Sequence, residues 1–189
     1  KFIRYRIKQN TDGYSYEDYR HACEYLGLDM TEDKNRYPHN FKKWHDIRID
    51  QYHTAKAEKD EQERKALYET FSKVAQKYVS LERLLIKEDY ICIIAKSPQQ
   101  LVYEGEQLNH CVGRMNYDQK FAREETLIFF IRSRLSPNTP LVTLEYSIKT
   151  HKVLQCYGEH DTKPSDEILN FVNEKWLPYA NRKLRQIAI

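Results

Sequence analysis

The segment Tyr103–Tyr117, YEGEQLNHCVGRMNY, marks the point where the pattern of the chain changes. Residues before it are highly charged and place apolar side chains at helical spacing, whereas residues after it alternate apolar and polar side chains in short runs. This change predicts an α+β fold that begins with an N-terminal helical region, residues 1–86, containing a long charged helix. A compact domain, residues 87–189, is predicted to follow, with a mainly antiparallel sheet flanked by helices.

The N-terminal region divides into segments of different pattern. Lys1–Gln9 alternates apolar and basic residues, which indicates a short strand or an extended arm. Ser15 is the expected N-cap of a helix over residues 16–26. Residues 44–85 fit either one long helix or two. Their polar middle, 54–64, has no apolar stripe and suits either a solvated bridge or a poorly ordered insertion.

The compact domain is predicted to contain a strand, a helix, a three-stranded antiparallel meander and a closing helix. The first helix opens at Ser97 and Pro98, carries the neighbouring His110 and Cys111, and ends near Gly113. The closing helix opens at Ser165, and Pro178 is expected to kink or end it before a basic helical segment over residues 179–189. The predicted strands are residues 90–95, 126–133, 141–148 and 153–157.

The pairing of the last two strands can be predicted from their alternation. A three-residue connection, 149–151, would place Glu145 opposite Gln155 and Leu144 opposite Cys156. A two-residue loop would mix polar and apolar side chains on each face. The odd-length connection is therefore the predicted one.

Composition excludes several classes of function. The 31 basic and 28 acidic residues give a net charge of +3, which argues against a polycation but leaves room for a local basic face. No apolar run approaches the roughly 18 residues of a membrane span, so no membrane contact is expected. The four cysteines form no CxxC pair and predict a reducing, cytoplasmic setting. Asp46, Asp50 and His53 share a helical face that is more typical of solvated surface than of a metal site. No metal ion or cofactor is predicted.

His110 and Cys111 are the first candidate site residues. A cysteine attacks as its thiolate, and a nearby imidazolium is one way to form it. Neighbouring residues, however, point about 100° apart on a helix and to opposite faces on a strand, so these two are not expected to pair directly. We expect Cys111 to pack toward the core and His110 to turn toward a polar cluster.

That polar cluster lies on the predicted sheet. Thr143 and Glu145 share one face of their strand, and the predicted register adds Gln155. Arg132 ends an apolar strand and needs a partner, for which Glu145 is the natural candidate. The cluster fits a structural ion pair, or a site whose planar hydrogen bonds hold a nucleotide, a peptide or an RNA base edge.

Five segments in order resemble the PcfJ-like proteins, which conjugative plasmids, integrative elements and phages encode: YPHNFKKWHD, YEGEQLNHCVGRMNYDQKF, IFFIR, LVTLEYS and VLQCYGEHD. The resemblance covers about residues 36–176. Members of that family are usually longer, so the chain is expected to be a C-terminal portion. The family often has an asparagine shortly after the glycine of the last segment, where this chain has Glu159, His160 and Asp161. The residues that the resemblance marks are His110, Cys111, Val112, Tyr117, Arg132, Thr143, Glu145, Gln155 and Gly158.

Three functions fit this sequence. The first is a nucleic-acid or nucleoprotein binding module in plasmid transfer or phage infection, with KFIRYRIK and NRKLRQ as basic patches. The second is an enzyme whose pocket joins Cys111 and His110 to Arg132, Glu145 and Gln155, with binding residues Asn109, Tyr117, Thr143 and Gly158. The third is a module that binds a host or mobile-element protein, such as an inhibitor of host defence, through the long charged helix. A shared concave pocket would favour ligand binding or chemistry.

Overall fold

Helices occupy the first part of the chain, and helices and strands mix in the rest. The computed structural model describes residues 1–187. The first helices are α1 (Phe2–Gln9), α2 (Gly13–Tyr25), α3 (Asp33–Arg36) and α4 (Phe41–Lys77). There follow β1 (Tyr90–Ile94), α5 (Pro98–Leu108), α6 (Tyr117–Ala122), β2 (Thr126–Ser133), β3 (Val142–Ser147), β4 (Lys152–Tyr157), α7 (Asp166–Asn170) and α8 (Leu177–Ile187). The predicted α+β class is confirmed.

The chain forms two compact units, Lys1–Arg64 and Lys65–Ile189. This division falls earlier than the predicted boundary after residue 86. The reason lies in the last turns of α4, where Phe71, Val74 and Tyr78 are buried in the core of the second unit. Their helical spacing indicates that this half of the segment packs.

The first unit corrects the prediction for Lys1–Gln9, because these residues form α1 rather than a strand or an extended arm. Phe2 and Tyr5, three residues apart, lie on one side of the helix. Phe2 packs edge-on against Tyr16 with ring centroids 4.6 Å apart, and the Tyr5 hydroxyl donates to the Pro38 carbonyl at 2.8 Å. A short alternating segment fits both periods, and these tertiary contacts select the helix.

The caps of α2 differ from the prediction at one end. Asp12, not Ser15, is the N-cap, and its carboxylate accepts from the Ser15 amide at 2.7 Å. Gly27, in the left-handed region with φ +74°, follows the last turn. The core of the unit joins Tyr16, Tyr19 and Cys23 of α2 to Phe41 of α4.

Helix α4 is continuous through residues 54–64, so this segment is neither a break nor a poorly ordered insertion. Most of its side chains are exposed. Ion pairs within the helix include Lys59 with Glu63 at 3.8 Å and Arg64 with Glu61. Each surface pair adds about 0.5 kcal/mol or less, so the packed ends carry most of the stability of this helix.

The sheet is four-stranded and antiparallel, in the order β1-β2-β3-β4. Glu145 lies opposite Gln155 and Leu144 opposite Cys156, which confirms the predicted register. The predicted three-residue connection is wrong, because four residues, 148–151, separate Ser147 from Lys152. A bulge between Glu145 and Tyr146 shifts the pairing by one residue and keeps the polar side chains on one face.

The C-terminal helices cover the apolar face of the sheet. Trp176 packs against Phe129 and Tyr146 with ring centroids 4.9 and 5.6 Å away, and its indole donates to the Leu81 carbonyl at 3.0 Å. A π-helical turn, Phe171–Trp176, joins α7 to α8, and Pro178 lies just beyond it without ending the helix. The predicted helix over residues 179–189 is present to Ile187, and residues 188–189 lie outside the described range.

Raising the pH above 10 is expected to destabilise the fold. Burial raises the pKa of Tyr146 from 10.0 to about 12, and burial together with the neighbouring Tyr16 does the same for Tyr5. Between these values the folded chain retains protons that the unfolded chain releases. The stabilisation is therefore complete below pH 10 and is lost as the pH rises to about 12. Urea unfolding at stepped pH, followed with tyrosinate absorbance, measures this loss. Constant stability across that window would contradict it.

Candidate functional site

Helix α5 leads into the His-Cys segment but does not carry it. Ser97 caps the helix, since its hydroxyl accepts from the Gln100 amide at 3.3 Å, and Pro98 fills the first turn as predicted. The helix ends at Leu108 rather than near Gly113. Asn109 adopts a left-handed conformation with φ 50° at the C-cap, which turns the chain sharply. His110 is extended and Cys111 begins a short 3₁₀ turn that ends at Gly113.

Two glycines allow this turn to lie directly on α5. A Cβ atom added to Gly105 would lie 2.9 Å from the His110 carbonyl oxygen. A Cβ atom added to Gly113 would lie 2.7 Å from the Val102 Cα. Both contacts are with backbone, which cannot rotate away. Gly105 therefore belongs in the helix interior for a steric reason, and the close packing fixes the position of His110.

A half-open pocket with an interior of about 30 Å³ lies between this turn and the polar face of the sheet. It brings together six of the predicted site residues and leaves out Asn109, Arg132 and Gly158. Gly158 is buried at the end of β4, where its amide donates to the Thr162 carbonyl at 2.9 Å. The predicted residues that line the pocket are His110, Cys111, Tyr117, Thr143, Glu145 and Gln155, and Val112, Ile128, Tyr157 and Asp161 complete it.

The partner of Arg132 is Glu104 and not Glu145, which corrects the prediction. The guanidinium and the carboxylate form two parallel hydrogen bonds, of which the Nη1–Oε1 bond is 2.8 Å long. Glu104 is 0% exposed and Arg132 5% exposed. Arg132 also lies over the Phe130 ring, 4.9 Å from its centroid. This pair lies behind the pocket wall and holds α5 against the sheet.

A chain of hydrogen bonds connects this pair to His110. The Thr143 hydroxyl donates its only proton to Glu104 Oε1 at 3.2 Å. It must therefore accept from His110, whose Nε2 lies 3.0 Å from the hydroxyl oxygen. This arrangement places the ring proton of neutral His110 on Nε2 and leaves Nδ1 as a hydrogen-bond acceptor. The predicted turn of His110 toward the polar cluster is thus realised through Thr143.

Glu145 is the one pocket carboxylate from the sheet, and it is 5% exposed. Within residues 1–187, no hydrogen bond or ion pair joins its carboxylate to another side chain or to backbone. Among the described residues, the fully buried side-chain atoms without a partner belong to Arg48 and Thr126, so the oxygens of Glu145 keep contact with the solvent of the pocket. The oxygen atoms of Glu145 therefore remain available to whatever enters the pocket.

Tyr117 lies across the pocket from Glu145. Its hydroxyl donates to Gln155 Oε1 at 3.4 Å. Burial, followed by the neighbouring Cys111 and Glu145, raises the pKa of Tyr117 to about 12, so this hydroxyl stays protonated as a donor. Cys111 packs partly against the core as predicted, but it also lines the pocket beside Tyr117.

Sequence reasoning missed Glu104 and Asp161. Glu104 occupies the third position after Leu101 and the fourth before Leu108, on the buried stripe of α5. An acid on an apolar stripe was the available signal for the partner of Arg132. Asp161 reaches the pocket because it and His160 adopt left-handed backbone conformations, with φ 56° and 52°. It stands in the segment where the resembled family often has an asparagine.

No helix in the described range is long and apolar enough to cross a membrane. Among the same residues, no group of three or more His, Cys, Asp or Glu side chains is arranged to hold a metal ion, which includes the face of Asp46, Asp50 and His53. All four cysteines are free thiols.

Comparison with known proteins places the chain in a family. It is 28% identical over 185 residues to an uncharacterised protein, Lin1253/Lin1744, of Listeria innocua serovar 6a. That alignment covers 98% of this chain and 38% of the Listeria protein, so the chain spans well under half of that relative. No solved structure matches significantly. The family profile of PcfJ-like proteins matches residues 15–172, and the chain belongs to the PcfJ-like protein family.

Proposed function

We propose that the chain is a nucleic-acid binding module whose pocket recognises one unpaired base. The observation that carries this proposal is the buried carboxylate of Glu145, which lines a pocket and has no partner among the described residues. Protein sites for single-stranded nucleic acid commonly hold unstacked bases by hydrogen bonds to their edges. The proposed ligand supplies the donors that Glu145 lacks.

The polar groups of the pocket select the edge of the base. Acceptors predominate, since Glu145 and Asp161 contribute carboxylates and His110 contributes Nδ1. A guanine presents two neighbouring donors, N1–H and the 2-amino group, which can bind both oxygens of one carboxylate. The Gln155 amide nitrogen, next to Glu145 in the register, can donate to the guanine O6. We therefore propose guanine as the preferred base.

The mouth of the pocket fits a single-stranded rather than a double-stranded ligand. Tyr157 lines the pocket with an exposed ring, which offers a surface for base stacking. The interior of about 30 Å³ holds little more than a water molecule, so the edge of a base would enter it while the ring system lies over the mouth. A base paired in a duplex would keep its Watson–Crick edge covered by the partner strand.

Glu145→Gln is expected to weaken binding of a thymidine oligonucleotide that contains one central guanine by about tenfold, because a charge-assisted hydrogen bond contributes about 1.5–3 kcal/mol. Fluorescence anisotropy of the labelled oligonucleotide measures the affinity. Removal of a negative charge reduces repulsion of the phosphates, so simple electrostatics predicts tighter binding instead. A loss of affinity thus reports the lost contact.

Two controls accompany this variant. Glu145→Gln should unfold at the same or a higher urea concentration than the wild type, because it removes an unpaired buried charge. Glu69→Gln removes an exposed carboxylate of α4 and should leave the affinity unchanged or slightly raised. Equal or tighter binding by the Glu145→Gln protein would contradict the proposal.

A second candidate function is catalysis by proton transfer, as favoured by the hydrogen-bonded chain from Arg132 through Glu104 and Thr143 to His110. With Nε2 held by Thr143, the Nδ1 atom of His110 can accept a proton from a bound group or from water, as a general base does. Chemical change of the guanine oligonucleotide, detected by mass spectrometry after incubation, would support catalysis. Recovery of the intact oligonucleotide would limit the pocket to binding.

Thr143→Val is expected to remove the acceptor that holds the ring proton of His110 on Nε2, because a valine side chain cannot accept a hydrogen bond. The ¹⁵N chemical shifts of the imidazole distinguish the two tautomers. We expect the Nε2–H form in the wild type and a mixture of tautomers in the variant. The same Nε2–H form in both proteins would show that Thr143 does not set the tautomer.

The resemblance to PcfJ-like proteins and the state of the cysteines support a proposal about the cellular setting. Conjugative plasmids, integrative elements and phages encode PcfJ-like proteins, and we propose that this module acts on nucleic acid during plasmid transfer or phage infection. Free thiols at all four cysteines support a reducing, cytoplasmic setting for that function.

A further inference from the structure

We propose a second nucleic-acid site in the first unit, separate from the pocket: a groove that stacks a base of single-stranded nucleic acid on Trp44 and binds a neighbouring phosphate with Arg48. The groove, called here the Trp44 groove, is open and has a volume of about 670 Å³. Its lining includes Lys34, Tyr37, Pro38, His39, Trp44 and Arg48.

Trp44 offers an exposed ring face in the first turn of α4. The Asn40 side chain caps this helix, since its Oδ1 accepts from the Lys43 amide at 3.1 Å. The Trp44 side chain is 37% exposed, whereas the other tryptophan, Trp176, is fully buried. An exposed tryptophan in a groove is unusual unless it contacts a ligand, and base stacking is one such contact.

Arg48 lies over one face of the Trp44 ring, so a base would stack on the other face. Arg48 follows Trp44 by four residues, and its guanidinium lies 4.9 Å from the centroid of the indole. Its Nη1 donates to Gln51 Oε1 at 2.7 Å, but its Nε is shielded from solvent and has no hydrogen-bond partner within residues 1–187. No carboxylate in that range forms an ion pair with it. The positive charge of Arg48 is therefore not neutralised by a carboxylate within residues 1–187.

The sequence around the groove is locally basic although the chain is nearly neutral. Residues 34–48 contain five lysines and arginines against one acidic residue, Asp46. Asp33 also lines the groove and pairs with Lys1, and Lys34 pairs with Glu32 at 2.9 Å. These exposed pairs offset the charges of Asp33 and Lys34, so Arg48 is the lining cation without a carboxylate partner in the described residues. The five lysines and arginines are Lys34, Arg36, Lys42, Lys43 and Arg48.

The chemistry favours nucleic acid over other anions. A ring face next to a guanidinium matches a base and its adjoining phosphate, which repeat together along a single strand. A phosphopeptide offers the phosphate without an aromatic base to stack. The groove is built only from residues of the first unit, so this proposal does not depend on the pocket of the second unit.

The test uses the whole chain and the fluorescence of Trp44. A thymidine oligonucleotide of about 12 nucleotides, which has no guanine, should quench the exposed Trp44 and leave buried Trp176 unaffected. The quenching should be lost in Trp44→Phe. Arg48→Gln should bind the oligonucleotide about tenfold more weakly than the wild type does. It should also decline steeply as salt is raised. Lys56→Gln, which removes a cation from α4 outside the groove, should behave as the wild type does.

Several outcomes would overturn the proposal. These are the absence of quenching at low salt, equal affinity of Arg48→Gln and Lys56→Gln for the oligonucleotide, or equally tight binding of a phosphopeptide. If Arg48→Gln does not fold, Trp44→Leu replaces it, and wild-type affinity of Trp44→Leu for a labelled oligonucleotide would overturn the proposal equally. Glu145→Gln should show wild-type quenching, so a failure of the guanine pocket and a failure of this groove are distinguishable.

Discussion

Arg132→Met is expected to lower the free energy of unfolding by about 3–5 kcal/mol, the loss typical of a broken buried ion pair. The substitution keeps most of the side-chain volume but leaves the carboxylate of Glu104 without its cation at 0% exposure. Thr143 alone would then remain as its hydrogen-bond donor. Urea denaturation followed by circular dichroism measures the loss.

The double variant Arg132→Met, Glu104→Leu separates the cost of a lone charge from the contribution of the pair. An apolar replacement of both partners removes the unpaired charge and is often close to neutral. We expect the double variant to be more stable than Arg132→Met alone. Two results would contradict a buried ion pair at this place. One is additive losses in the free energy of unfolding at the two positions, and the other is a loss below about 1 kcal/mol for Arg132→Met.

Gly113→Ala is expected to lower the free energy of unfolding by about 2–3 kcal/mol, the upper part of the range for overpacking. The added methyl group would lie 2.7 Å from the Val102 Cα and 3.0 Å from the Leu101 carbonyl oxygen. Because both atoms are backbone, the turn must move away from α5. His110 and Cys111 lie in that turn, so guanine binding should weaken together with stability.

Gly13→Ala is the matched control for this substitution. A Cβ atom at Gly13 would meet only the flexible end of Arg6 at 3.5 Å, an ordinary contact. Its effect should stay within about 1 kcal/mol and tend toward stabilisation, as for glycine to alanine in an unstrained helix. If Gly113→Ala were as stable as Gly13→Ala, the backbone contact between the turn and α5 would not be as close as described.

Much of the site could be predicted because it lies on a sheet. Alternation along β3 and β4 placed Thr143, Glu145 and Gln155 on one face, and the faces remain consistent in only one register. The actual route to that register, a four-residue turn and a bulge, was not predictable. A bulge has no pattern of its own in this sequence, since it adds one residue to a strand that continues to alternate.

The pairing of Arg132 could not be derived in the same way. The sequence showed that this arginine needs a partner and pointed to Glu145 on a neighbouring strand, whereas the partner is Glu104 on a helix. Only the packing of α5 against the sheet, which brings Glu104 to Arg132, decides between them. Glu145 therefore has no ion-pair partner within residues 1–187.

The His-Cys segment shows how a local rule can fail. The helix that opens at Ser97 was predicted to carry His110 and Cys111 and to end near Gly113. Asn109 breaks the helix by adopting the left-handed conformation, which asparagine tolerates better than most residues. As a result, the extended His110 reaches Thr143, as a residue within the helix need not.

The most direct test of the account compares guanine with hypoxanthine, which lacks the 2-amino group. Affinities are measured for two oligonucleotides that differ only at this base, with the wild type and with Glu145→Gln. The account predicts that the wild type prefers guanine by about tenfold, equivalent to about 1.4 kcal/mol, and that Glu145→Gln shows almost no preference. Equal affinity of the wild type for both bases, or an unchanged preference in the variant, would contradict it.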